Sequence, residues 1–327
     1  MQHKDCQLAA IVDPSEAARA LAQEKAIPYF DTLEALLAGE QVDGIILATP
    51  NQLHLEQGLR CLQAGIMTLI EKPVTNTVAE GLVLLEAERQ SKARILVGHH
   101  RAHSSIMRTA QALIQKGTLG DVVAITGSAL FYKPDHYFQV APWRTQVGGG
   151  PILINSIHDI HNFRMLCGEI SEVQAFSSSK TRNFEVEDTV VINFRFENGA
   201  LGTFALSDTA ASAKSWEQTS QENKTYAAYP EENCYHVAGT AGSLDIPSMH
   251  LKTYSGEKSW WQAFTETRLE LNHSDPLDEQ LEHFCQVIRG EATPKVSLKD
   301  GLRNLCVVEA ILKAAKSGYA VEVAKFI

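Results

Sequence analysis

Strand-sized apolar runs alternate with helical patterns over the first hundred residues. Gln7-Leu8-Ala9-Ala10-Ile11-Val12 reads as a buried strand ending in Asp13-Pro14-Ser15, after which Glu16 to Lys25 is alanine-rich and helical. Val42 to Leu47 predicts the next strand, and about Gln52 to Gly65 the helix that follows it. Met67 to Ile70 predicts another strand. Val78, Leu82 and Leu85, at i, i+4, i+7, predict an amphipathic helix, and Arg94 to Val97 closes the series. Strands that are continuously apolar, interleaved with helices, imply a parallel sheet covered on both faces. That pattern is half of a doubly wound fold of the dinucleotide-binding kind.

The pattern changes after about His103. A helix from Ile106 to Lys116, ending at Gly117, leads into a strand from Val122 to Tyr132. Farther on, Val190, Ile192, Phe194 and Phe196 alternate with Val191, Asn193, Arg195 and Glu197, the period of a strand with two distinct faces. Asn198-Gly199 suits a two-residue hairpin turn in which both positions take φ > 0, with Ala200 to Leu206 as the return strand. The polar stretch Ser212 to Asn233 is too long for a plain connection and reads as a functional or mobile loop. Leu305, Val308, Leu312 and Ala315 form one stripe of a C-terminal helix. A chain of 327 residues exceeds the usual single core, and two domains are expected. Residues 1–103 form a Rossmann-like doubly wound α/β domain. Residues 104–327 form an α+β domain with a mostly antiparallel sheet, for substrate binding and oligomerisation, with the C-terminal helix packing back on the first domain.

Composition excludes several functions without changing this picture. A content of 44% hydrophobic and 21% charged residues rules out an extended disordered chain. The net charge of −10 leaves no basic surplus to neutralise phosphates, so neither nucleic acid nor an anionic membrane is an expected partner. The richest apolar run, Gly44-Ile45-Ile46-Leu47-Ala48, is strand-sized, and Met1 to Cys6 has no apolar core of a signal peptide; a cytoplasmic location is expected. Cys6, Cys61, Cys167, Cys234, Cys285 and Cys306 show no CxxC spacing and read as reduced, mostly buried residues.

Three segments carry candidate chemistry. Ala48-Thr49-Pro50-Asn51-Gln52-Leu53-His54 sits at the carboxyl end of a predicted strand, where open α/β sheets bind ligands. The next helix opens there with free N–H groups, although an ordinary strand-to-helix turn has the same look. Glu71-Lys72-Pro73 ends the next strand. A lysine there can reach a bound substrate, with a pKa lowered by desolvation or a nearby cationic ring; the plainer reading is a surface ion pair. The third segment is Trp143-Arg144 followed by Gly148-Gly149-Gly150 and Pro151 to His161. Its glycines let backbone approach a ligand closely, and a helix places Asn155, His158 and His161 on neighbouring turns. Histidine is suited to take a hydroxyl proton near neutral pH, while a lone helical histidine is also a common buried structural residue. His99, His100, His103, His158 and His161 lack a matching carboxylate or thiolate set, so no metal is expected.

In this order the segments resemble the Gfo/Idh/MocA family of NAD(P)-dependent oxidoreductases, over nearly the whole chain. Ala48-Thr49-Pro50 with His54, Glu71-Lys72-Pro73, Gly98-His99-His100-Arg101, and Trp143-Arg144 with the three glycines and His158-Asp159-Ile160 look like its successive signatures. The form Gly148 to His158 is also similar to a branch that includes dehydrogenases of carboxylated aromatic cis-dihydrodiols. The resemblance implies hydride transfer between a small-molecule carbinol (sugar, cyclitol or carboxylated cis-dihydrodiol) and NAD. It implies that Glu71 binds the nicotinamide ribose, that Lys72 hydrogen-bonds the reacting hydroxyl, and that His158 is the general acid/base. Thr49, Pro50, Asn51 and His54 are then expected to line the cofactor. His100, Arg101, Trp143 and Arg144 lie near the nicotinamide and substrate, with Asn155 and His161 on the substrate side. Asp13 binds the adenosine ribose hydroxyls and favours NAD over NADP. Members of the family commonly associate through the antiparallel sheet, so a homodimer or homotetramer is expected.

Two departures qualify the resemblance. The family often has an aspartate four residues before the histidine, where this chain has Ile154, beside Asn155. The fold also sets a first strand, a G-x-G-x-x-G turn and a helix, roughly 25–30 residues, before the strand that ends at Asp13. Only a handful of residues, none a glycine, precede that strand here, which reads as an N-terminally truncated Rossmann-like domain. The alternatives to a dehydrogenase are a non-catalytic member that senses a nucleotide or sugar, and an inactive truncated product. Lys72 and His158 favour the enzyme, because a sensor needs no proton path.

Overall fold

A computed structural model describes residue 4 and residues 6–326. One unit comprises Met1–Gly98 with Gln280–Leu302, and the other His99–Glu279 with Arg303–Ile327.

The first unit alternates β1 (Ile11–Val12), α1 (Glu16–Lys25), β2 (Tyr29–Phe30), α2 (Leu33–Gly39), β3 (Gly44–Leu47), α3 (His54–Gln63), β4 (Met67–Ile70), α4 (Val78–Gln90) and β5 (Ile95–Val97). Hydroxyl caps set its helix starts: Ser15 accepts from the Ala18 N–H, Thr32 from that of Ala35, and Thr77 forms a capping box with Glu80. Strands β3, β4 and β5 form a parallel sheet, and β1 pairs in parallel with β2 alone. The strand expected over Gln7 to Val12 is shorter, because β2 offers partners only for Ile11 and Val12. The stripe Val78/Leu82/Leu85 is also displaced. Leu82 is exposed, and Gly81, Leu84 and Leu85 are buried, with Leu84 lying against Gly58 of α3. The returning segment completes the unit: Phe284 and Ile288 pack on Leu69, Leu96 and Met67, and the Val97 N–H donates to Val296 O over 2.9 Å.

The second unit contains α5 (Ser105–Gln115), β6 (Val122–Leu130), α6 (Asp135–Val140), α7 (Pro151–Ile154), α8 (Ser156–Cys167), β7 (Ile170–Ser178), β8 (Thr189–Phe196) and β9 (Leu201–Ser207). It continues through α9 (Trp216–Thr219), β10 (Tyr235–Gly239), β11 (Gly242–Ile246), β12 (His250–Thr253) and β13 (Thr265–Arg268). Helix α10 (Pro276–Ile288) begins here and belongs from Gln280 to the first unit, and α11 (Leu298–Ser317), in this unit from Arg303, precedes β14 (Val321–Glu322). The nine strands form one sheet in the order β13-β12-β11-β10-β6-β9-β8-β7-β14, antiparallel except for the parallel β6–β9 pair. Val190, Ile192, Phe194 and Phe196 face a core that includes Met107, Phe163, Val308 and Ile311, so the period-two reading of β8 holds.

Three local expectations are corrected in this unit. The β8–β9 connection is a three-residue loop, with Phe196 N–H donating to Ala200 O and Gly199 N–H to Phe196 O; Gly199 (φ 90°) has positive φ and Asn198 does not. The stretch 212–233 contains α9 and buries Ser215, Trp216, Thr219 and Ser220, which ties its polar sequence to the core. In α11, Leu305 and Val308 are buried but Leu312 is exposed, because Ile311 and Ala314 take the inward positions. No cysteine among the described residues forms a disulfide; Cys6 is partly exposed and the other five are buried. No helix among the described residues is long and apolar enough to cross a membrane.

Candidate functional site

In the first unit the predicted residues lie at the carboxyl ends of their strands: Thr49 to His54 and Glu71-Lys72 after the adjacent β3 and β4, and Asp13 after β1 in the separate β1–β2 pair. Asp13 follows β1, and its carboxylate accepts from the Ser15 N–H over 2.8 Å. The hydrogen bonds from Ser15 hold that carboxyl below its usual range, so it is ionised at neutral pH. Thr49 Oγ donates to Gln57 Oε1 over 2.6 Å, Pro50 precedes the 3₁₀ turn Asn51–Leu53, and Asn51 Nδ2 donates to Asn76 Oδ1. His54 is buried, with Nδ1 2.9 Å from Pro73 O and Nε2 2.9 Å from Thr49 O. It is a clasp between the two strand ends, and desolvation lowers its pKa against those carbonyls.

Glu71 follows β4, with its N–H on Leu47 O. Burial raises the pKa of its carboxyl, opposed by the Lys72 N–H and the Lys72 charge. A Cβ on Gly98 would stand 2.9 Å from that carboxyl, so glycine is what lets β5 run past Glu71. Lys72 sits between Glu71 and Pro73, joined to the proline by a cis peptide bond.

In the second unit, α8 carries His158, whose N–H bonds to Asn155 O across the α7–α8 junction. The His158 ring lies 5.5 Å from that of His99 and 5.0 Å from that of His100, edge-on to both. His161 stacks on His99 at 4.7 Å. Asn304 Nδ2 donates to both His99 Nε2 (3.0 Å) and His161 Nδ1 (3.1 Å), and its oxygen accepts from Arg164. His161 is thus held in a buried polar network. Trp143 is exposed, and Arg144 is half-buried on the Tyr137 ring. A Cβ on Gly149 would stand 2.3 Å from Trp143 O. The close approach that this glycine permits is therefore to the chain's own backbone.

Arg101 is buried and bridges two carboxylates, Asp159 Oδ1 at 3.0 Å and Glu217 Oε1 at 2.6 Å. Burial works against its charge, and Glu217 and Asp159 outweigh it, so its pKa is raised. The Tyr235 hydroxyl donates to the same Asp159 oxygen and accepts from Asn162 Nδ2. Burial pushes Asp159 up to about 6 even against Arg101.

Several residues here carried no mark in the sequence. The Lys133 ammonium donates to Asn155 Oδ1 over 2.6 Å and lies 3.9 Å from Asp208, whose other oxygen accepts from Arg182. Lys133, Arg182, Asp208, Glu217, Tyr235 and Asn304 are scattered polar residues whose partners are remote in sequence, so no spacing rule finds them. Among the described residues no group of three or more His, Cys, Asp or Glu is arranged to hold a metal ion.

Two family profiles match the chain: "Oxidoreductase family, NAD-binding Rossmann fold" over residues 1–99, and "GFO/IDH/MocA C-terminal domain" over residues 107–245. The 1,5-anhydro-D-fructose reductase of Ensifer adhaerens is 28% identical over 89% of this chain and 83% of its own. A D-xylose 1-dehydrogenase (NADP(+)) of Haloferax volcanii is 24% identical over 98% and 94%. Among solved structures, the WlbA dehydrogenase from Bordetella pertussis, in complex with NADH and UDP-GlcNAcA, aligns with a TM-score of 0.75. It is 21% identical and covers 97% of this chain and 90% of its own.

Proposed function

Since the chain belongs to the Gfo/Idh/MocA family of NAD(P)-binding oxidoreductases, we propose that it is an NAD-dependent dehydrogenase acting on the CH–OH group of a sugar, cyclitol or carboxylated dihydrodiol. The observation that carries this reading is the Glu71-Lys72-Pro73 turn after β4, with Gly98 letting the Glu71 carboxyl pack against the end of β5.

Two carboxylates of the first unit suit the riboses of a dinucleotide. Asp13 is an ionised acceptor at a strand's carboxyl end, suited to ribose hydroxyls and repelling a 2′-phosphate. The buried Glu71 carboxyl is a second acceptor, suited to the other ribose. When bound, NAD supplies the hydride acceptor. Lys72 donates to the reacting hydroxyl oxygen and stabilises the negative charge that develops as the proton leaves. His158 takes that proton as general base and returns it in the reverse direction. Arg101 holds Asp159, the residue after His158, and so fixes the helical turn that carries the imidazole.

The test is to mix the protein with NAD and a panel of sugars, cyclitols and dihydrodiol acids and follow reduced nicotinamide by absorbance. Turnover of at least one class is expected. Absence of turnover across the panel in both directions, with NAD and with NADP, contradicts the reading.

A further inference from the structure

Lys133 is buried, at 6% exposed, just beyond the end of β6. Burying an ammonium is costly unless its charge and its N–H groups are met. Of its three N–H groups, one goes to Asn155 Oδ1 over 2.6 Å. Asp208 Oδ2, at 3.9 Å, is within ion-pair reach but beyond hydrogen-bond length, while Arg182 Nε holds the other oxygen, Oδ1, at 2.8 Å. Asp208 thus offsets the charge, but among the described residues two of the three N–H groups meet no acceptor within hydrogen-bond length.

A second cation shares the same ring. Lys133 Nζ lies 4.8 Å and the Arg144 guanidinium carbon 3.8 Å from the centroid of Tyr137. Arg144 donates to Tyr137 O over 2.8 Å, and its buried Nε meets no acceptor among the described residues. Burial brings Lys133 down to about 8; Asp208 and Glu217 hold it up, while Arg144 and Arg182 push it lower. At neutral pH it is mostly charged, and an added anion favours that charge further. Asn155 stands one helical turn before His158, about 5 Å along the axis.

We propose that Lys133, oriented by Asn155 and reinforced by Arg144, is an anion subsite that takes a carboxylate of the substrate one helical turn from His158. The substrate is then a hydroxy acid rather than a neutral polyol. With the Asp208 carboxylate only 3.9 Å from the ammonium, the site suits a singly charged carboxylate better than a phosphate dianion, which carries more charge and calls for more donors. The proposal rests on the dehydrogenase reading only in taking His158 as the reacting end.

The test compares matched probes, glucuronate with glucose and gluconate with glucitol, in binding titrations and in NAD reduction. Lys133→Met removes the charge at similar volume and leaves Asp208 its bond to Arg182; Lys133→Arg retains a cation. The acid should bind more tightly than its neutral partner. Lys133→Met should weaken the acid by about 10- to 100-fold, the scale of a charged hydrogen bond, mainly in KM and with kcat little changed. Lys133→Arg should restore part of it. Equal binding of acid and neutral partner, acid binding unchanged in Lys133→Met, or a preference for glucose 6-phosphate over glucuronate overturns the subsite. Because binding is read without turnover, its failure is separable from failure of the dehydrogenase reading.

Discussion

Arg101 Nη1 lies 3.0 Å from Asp159 Oδ1, and Asp159 immediately follows His158 on α8. Both side chains are buried, and the Tyr235 hydroxyl donates to the same carboxylate oxygen. The pair ties the helix carrying the imidazole to the segment after β5 and, through Glu217, to α9.

Breaking that pair from one side should be costly. Asp159→Ala leaves Arg101 with Glu217 alone and removes the acceptor of Tyr235, and should lower stability by about 3–5 kcal/mol, the usual loss for half of a buried pair. Asp159→Asn should lose less. A pH signature accompanies this. Because burial raises the Asp159 pKa from 3.8 to about 6, the folded protein holds this proton more tightly than the unfolded chain. Its contribution to stability is greatest below pH 4 and declines as pH rises to about 6. Denaturant titrations at pH values across that window should show the decline in the parent and not in Asp159→Asn.

The proposed preference for NAD rests on Asp13. NADH should bind more tightly than NADPH, and Asp13→Ser should narrow the difference by removing the charge that repels a 2′-phosphate. Fluorescence titration of both dinucleotides measures it, and tighter binding of NADPH by the parent contradicts the assignment.

Self-association is expected through the sheet face away from the helices. Phe176 of β7 and Val191 of β8 stand opposite one another in register and are 62% and 48% exposed. Neighbouring exposed apolar side chains on a sheet face are what an interface covers. Light scattering should give a dimer or tetramer, and Phe176→Glu with Val191→Glu should shift it to monomer. A parent mass of 36.0 kDa at micromolar concentration contradicts this.

Local signals in the sequence carried local structure. Asp13-Pro14-Ser15 ahead of an alanine-rich run places α1 at Glu16–Lys25, and the alternation around Ile192 gives β8 its inward face. What local signals missed depends on partners far along the chain. The length of β1 is set by β2 and the inward face of α4 by α3. Lys133 meets Asn155 across 22 residues, Arg101 meets Glu217 across 116, and His99 meets Asn304 across 205. The segment Gln280–Leu302 belongs to the first unit through Phe284 and Val296, and nothing in its composition separates it from its neighbours. The motifs thus pointed to His158 and Lys72, whereas the buried charges around His158 emerge only once the chain is folded.

The central claim is that Lys72 and His158 move the hydroxyl proton while hydride leaves the carbinol carbon. The most direct measurement is the rate of reduced-nicotinamide formation by the parent, Lys72→Ala and His158→Ala on one active carbinol, with folding verified by thermal melts. Each variant should retain the parent's melting behaviour within a few degrees and lose turnover by about 10²–10⁴-fold, the scale of general acid–base catalysis. A folded Lys72→Ala or His158→Ala protein turning over within a few-fold of the parent contradicts the account.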